Sequence, residues 1–105
     1  MSFSRRRYDL LRVLAIESEI KDIEHGQKYL RFKREITVLE NARRGSGSLR
    51  VSNPEDMDSI IELRRNSAGV EEYLAKYRMM MHGVREKMDR LNAEKLRLKA
   101  ELSAT

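Results

Sequence analysis

The sequence has no cysteine, no tryptophan, a single proline and two phenylalanines in 105 residues. Without cysteine there is no disulfide framework, no zinc–thiolate site and no cysteine nucleophile. So few turn-forming and aromatic residues argue against a β-sandwich or barrel. No apolar run approaches the roughly 20 residues that a membrane-spanning helix needs.

What is abundant points to helix. Ala, Glu, Lys, Leu and Arg fill 53 of the 105 positions, the compositional mark of long helices or coiled coils. The net charge of +5 comes from 22 basic and 17 acidic residues. It is concentrated before residue 45, and it permits an anionic partner without requiring one.

The chain divides at Gly45-Ser46-Gly47-Ser48. Arg43 and Arg44 suit the carbonyl end of a first helix, and Gly45 suits its left-handed stop. Asn53-Pro54-Glu55-Asp56 reads as the start of a second helix, with Asn53 capping and Pro54 in the first position. The expected organisation is helix one over residues 1–44, a Gly/Ser linker over 45–52 and helix two over 53–105. Gly-Ser alternation fits a natural loop, and it equally fits an artificial joint between two partner helices.

Helix two carries the strongest pattern. Steps of three and four from Ile60 give Leu63, Ser67, Val70, Leu74, Tyr77, Met81, Val84, Met88, Leu91, Lys95, Leu98 and Leu102. A seam sustained this long is a coiled-coil signature. Glu94 and Lys99 flank it as an interhelical charge pair. In helix one, Val13, Ile16, Ile20, Ile23, Gln27 and Leu30 follow one phase, and Tyr29, Phe32, Ile36 and Leu39 another. That shift calls for a broad apolar face or a disruption near Gly26. Residues 10–16 are apolar on nearly every side, through Leu10, Leu11, Val13, Leu14 and Ile16, so more than one neighbour is needed to bury them.

The expected fold is all-α: two long helices in a coiled-coil hairpin that associates into a four-helix bundle. The interface residues are Leu10, Leu14, Ile16, Ile20, Ile23, Leu30, Ile36 and Leu39 on helix one. On helix two they are Ile60, Leu63, Val70, Leu74, Tyr77, Met81, Val84, Met88, Leu91 and Leu98. Met79-Met80-Met81 marks a contact region, with Met81 on the seam.

No constellation for catalysis is present: no glycine-rich phosphate loop, no Ser/His/Asp arrangement, no paired buried carboxylates. Asp22-x-x-His25 has the spacing of a metal-binding pair but is not repeated on a second helix. No cofactor and no small-molecule substrate are expected. The expected role is a non-enzymatic assembly or scaffold element of a larger intracellular complex, cytoplasmic or nuclear, partnered by helical proteins or by further copies of itself. The competing reading is nucleic-acid binding by the basic first helix, with Arg5, Arg6 and Arg7 on an anionic partner.

Overall fold

A computed structural model describes residues 3–104. Three helices and two strands follow one another in the order α1 (Phe3–Glu24), α2 (Gln27–Asn41), β1 (Ser48–Asn53), β2 (Asp56–Arg64) and α3 (Ala68–Ser103). The chain is mostly helical but not all-α. Its residues gather into two compact units, 27–83 and 1–26 with 84–105.

The phase shift in the first helical segment is a break. α1 stops at Glu24, with the amide of Gly26 turning back to the Ile23 carbonyl at 3.2 Å. A Cβ on Gly26 would stand 3.0 Å from the Asp22 carbonyl oxygen, so a side chain here would crowd the turn. Each phase of the pattern serves its own helix. Val13, Ile16 and Ile20 are buried on α1, and Phe32 and Leu39 on α2.

The second segment departs from expectation at its start. Residues 53–67 do not begin a helix; β2 runs through them, and the helix starts at Ala68. β1 and β2 pair antiparallel, with Leu49 opposite Leu63, Val51 opposite Ile61, Arg50 opposite Glu62 and Ser52 opposite Ile60. Ile60 and Leu63 are therefore strand residues, and their three-residue spacing puts them on opposite faces of the hairpin. Asn53-Pro54-Glu55-Asp56 is the hairpin turn, where Asn53 Oδ1 accepts the Glu55 amide at 3.0 Å. Ser67 is not on a helical seam either: it immediately precedes α3 and donates its hydroxyl to the Arg64 carbonyl.

The Gly/Ser stretch is part of the fold. Gly45 and Gly47 have φ of 89° and 94°, and the Gly47 carbonyl receives the Arg65 amide at 2.9 Å. The Asn66 amide reaches the Ala42 carbonyl at 2.8 Å. Nothing lies within 4 Å of a Cβ built on Gly47 or on Gly83, but only Gly47 has positive φ. Alanine should therefore act with opposite signs at the two sites. Gly47→Ala is expected to destabilise by about 1–2 kcal/mol through the backbone alone. Gly83→Ala, inside α3, is expected to stabilise by up to about 1 kcal/mol. Urea unfolding of the two variants reads both.

In the unit of residues 27–83, α2 presents Phe32, Glu35 and Leu39 at steps of three and four, and Ala42 follows just past its end, all of them buried. Leu49 and Val51 of β1 and Val70, Leu74, Tyr77 and Met81 of α3 are buried in the same unit. In the other unit, Val13, Ile16, Ile20, Leu91 and Leu98 form a core joined by Ile23, Met88 and Leu102. From Val70 onward the three-four row of α3 is thus buried at Val70, Leu74, Tyr77, Met81, Leu91 and Leu98 and half-buried at Val84 and Met88.

Candidate protein interface

The residues expected at an interface separate into two groups. Ile16, Ile20, Leu39, Val70, Leu74, Tyr77, Met81, Leu91 and Leu98 are buried inside their own unit. Ile23, Ile36, Leu63, Val84 and Met88 are half-buried. Leu10, Leu14, Leu30 and Ile60 stay about half exposed or more.

α1 concentrates the exposed group. Its stripe Val13–Ile16–Ile20 turns into the core, and a residue four positions earlier, Asp9, lies on the same stripe. The helix repeat puts Leu11 and Leu14 on the opposite side, with Leu10 one turn before Leu14. Leu10, Leu11 and Leu14 are 49%, 58% and 60% exposed. Tyr8 on α1 and Leu96 on α3 add exposed apolar surface to the same unit. α1 thus has two apolar faces and one is covered.

Asp9 is 4% exposed, and its Oδ2 has no hydrogen-bond partner among the described residues. A buried polar atom with no partner is costly and uncommon, and it suggests a group supplied from elsewhere. A carboxylate inside an apolar stripe was the sequence signal, and it is easily passed over when only apolar positions are followed. Glu35 is the same case in α2. It occupies the stripe position that the apolar pattern gave to neighbouring Ile36, and its Oε2 accepts the buried Ser52 amide at 3.0 Å.

The charges beside the stripes join the chain to itself. Arg12 donates from Nε and Nη2 to the two oxygens of Glu94 at 3.1 and 3.0 Å. Lys87 lies 3.8 Å from Glu19 and Lys99 3.3 Å from Glu17. From Arg12–Glu94 to Glu19–Lys87, seven residues forward on α1 are seven residues back on α3, an antiparallel step that the Glu17–Lys99 pair does not follow. Glu94 and Lys99 therefore pair within the chain. The hydrogen bonds from Arg12 hold the Glu94 carboxyl below its ordinary range, and those from Arg43 do the same for Glu71. Both contributions are present at neutral pH and are lost as acidification protonates the carboxylates. Exposure keeps them small.

Arg5, Arg6 and Arg7 are exposed in α1, whose first turn holds no acidic residue. A second basic feature is an open cleft of about 590 Å³ lined by Gly45, Ser46, Gly47, Ser48 and residues 64–67, with Arg64 and Arg65 on its wall. His25 is exposed in the turn after α1, and His82 is exposed on α3. Among the described residues, no three His, Cys, Asp or Glu side chains group where they could hold a metal ion. No helix among them is long and apolar enough to cross a membrane. Met81 is buried, Met80 half-buried and Met79 76% exposed.

Compared with protein-family models, curated proteins and solved structures, the chain matches none.

Proposed function

We propose that the chain is a non-enzymatic assembly element that associates with a second copy through the outer face of α1, the two α1–α3 pairs forming a four-helix bundle. The observation that carries this reading is the row Leu10, Leu11 and Leu14, exposed on a helix whose other face is already filled. An apolar row of this kind marks a contact surface.

Static light scattering over a concentration series tests the reading on the wild-type chain. The expected mass rises above the 12.4 kDa of one chain as concentration increases. A mass fixed at one chain across the series would contradict it.

The second reading, nucleic-acid binding, is favoured by exposed Arg5–Arg7 and by the arginines of the Gly/Ser cleft. It requires affinity for duplex DNA that falls steeply with salt and loses slope when Arg5, Arg6 and Arg7 are replaced by Ala. Absence of binding at low salt would end it.

A further inference from the structure

The pattern Arg-Arg-x-Ser occurs twice in the chain, at Arg43-Arg44-Gly45-Ser46 and at Arg64-Arg65-Asn66-Ser67. Two arginines shortly before a serine are the charge pattern by which arginine-directed protein kinases choose one hydroxyl over others. A pattern this short recurs by chance and carries weight only where the fold exposes it.

The fold brings the two copies of the pattern together. The Asn66 amide bonds to the Ala42 carbonyl at 2.8 Å and the Arg65 amide to the Gly47 carbonyl at 2.9 Å. Ser46 and Ser67 thus line one open cleft of about 590 Å³, with Arg64 and Arg65 on its wall. Among the described residues that line it, none is acidic. Arg65 lies against the loop: its Cδ is 3.9 Å from where a Cβ on Gly45 would stand, one residue before Ser46.

The two serines are not equivalent. Ser67 is half-buried between β2 and α3, and its hydroxyl is engaged by the Arg64 carbonyl. Ser46 stands in an exposed stretch, residues 43–48, between the buried Ala42 and Leu49. A kinase can draw such a stretch into its active-site groove without disturbing a core. Arg43 donates to both oxygens of Glu71, at 2.8 and 3.1 Å. That pair is exposed on both sides, so releasing the arginine to another partner costs little.

We propose that Ser46 is a phosphorylation site for an arginine-directed serine kinase, and that the phosphate it acquires docks on Arg64 and Arg65 in the cleft. Ser46 Oγ bonds to the γ-phosphorus of ATP, and the bond from that phosphorus to the β–γ bridging oxygen breaks. ADP leaves with the electron pair, and the general base of the kinase takes the hydroxyl proton. Arg43 and Arg44 address the kinase; Arg64 and Arg65 receive the product. A phosphoserine carries a charge of about −1.5 to −2 and three strong acceptor oxygens. Guanidinium groups bind such oxygens in pairs of charge-assisted hydrogen bonds. Docking therefore ties the loop to the end of β2 and cancels the positive charge of the cleft. The site lies on other elements than the outer face of α1 and does not depend on association.

The test uses the full chain, the purified catalytic subunit of cyclic-AMP-dependent protein kinase, and ATP. Mass spectrometry reads the site, and circular dichroism reads melting before and after modification. One phosphate per chain is expected, at Ser46. It should be absent from Ser46→Ala and slowed at least tenfold in Arg43→Gln with Arg44→Gln. Phosphorylation should raise the melting temperature by about 4 °C or more, a shift typical of one added contact in a domain of this size. In Arg64→Gln with Arg65→Gln, phosphate should enter Ser46 at a similar rate, but the rise should vanish. Each shift is read within one variant, so any stability lost to the substitution itself cancels.

No incorporation into the folded chain would overturn the proposal. So would incorporation that persists in Ser46→Ala and disappears in Ser67→Ala. A phosphorylated Ser46 that leaves melting unchanged, or raises it equally with and without the two cleft arginines, would overturn the docking.

Discussion

Tyr77→Ala is expected to unfold the unit of residues 27–83, with a loss of about 3–5 kcal/mol, the usual cost of deleting a buried aromatic ring. Tyr77 is fully buried and does two jobs at once. Its ring meets Phe32 edge to face, with centroids 5.8 Å apart and planes at 67°. Its hydroxyl donates to the Ser52 carbonyl, closing one outward group of β1 while Glu35 closes the other. Tyr77→Phe keeps the ring and leaves that carbonyl without its donor. It is expected to cost about 1–3 kcal/mol, the penalty of one unmet buried acceptor. Urea denaturation of both variants separates ring from hydroxyl. Equal losses would mean that the hydroxyl, not the packing, dominates.

The same hydroxyl gives the chain an alkaline limit. Burial first, and the nearby Glu35 carboxylate second, push the Tyr77 phenol from an ordinary 10.0 up to about 12. Between those values the unfolded chain gives up its proton before the folded one does, so the folded state binds more protons and stability falls as pH rises. The contribution is complete below pH 10 and is lost as pH climbs toward about 12. Tyr77→Phe should flatten this part of the stability–pH curve. An unchanged alkaline slope in that variant would assign it to another group.

Much of the helical organisation is legible in the sequence because a three-four stripe has few physical readings over many turns. Along the stripe from Val70 to Leu98, Val70, Leu74, Tyr77, Met81, Leu91 and Leu98 are buried, and Val84 and Met88 are half-buried. The phase change near Gly26 likewise marks the end of α1. The hairpin is hidden by two coincidences. An asparagine followed by proline makes the same bond, side-chain oxygen to the amide two residues on, whether it caps a helix or makes a turn. Ile60 and Leu63 also extend the helical stripe by chance, because their spacing of three fits it. The period-two signal, Leu49 and Val51 against Ile61 and Leu63, spans too few residues to outweigh a stripe of several turns. Glu35 and Asp9 are missed for another reason. A charge on a buried stripe is read as a flaw in the pattern, although Glu35 is what receives the Ser52 amide.

The largest expected effect on assembly comes from Leu10→Asp with Leu14→Asp. Both side chains are about half exposed in the single chain, so the fold itself should lose only about 1 kcal/mol, mainly from poorer helix propensity. In the bundle the same positions become buried. Fully burying a leucine is worth about 1.5–3 kcal/mol, and about half of that remains to be gained here at each site. Two sites in each of two copies then carry on the order of 4 kcal/mol, or roughly a thousandfold in dissociation constant. Desolvating the new carboxylates adds to the loss. Association has its own entropic cost of several kcal/mol, so the wild-type contact is moderate and is best read at concentrations of tens of micromolar or more.

The most direct measurement is sedimentation velocity of the wild-type chain beside the Leu10→Asp, Leu14→Asp chain, with helicity followed by circular dichroism on the same samples. The expected result is a wild type that associates, and a variant of unchanged helicity that sediments as a smaller species. Identical sedimentation of two equally helical chains would contradict it, because the outer face of α1 would then carry no assembly.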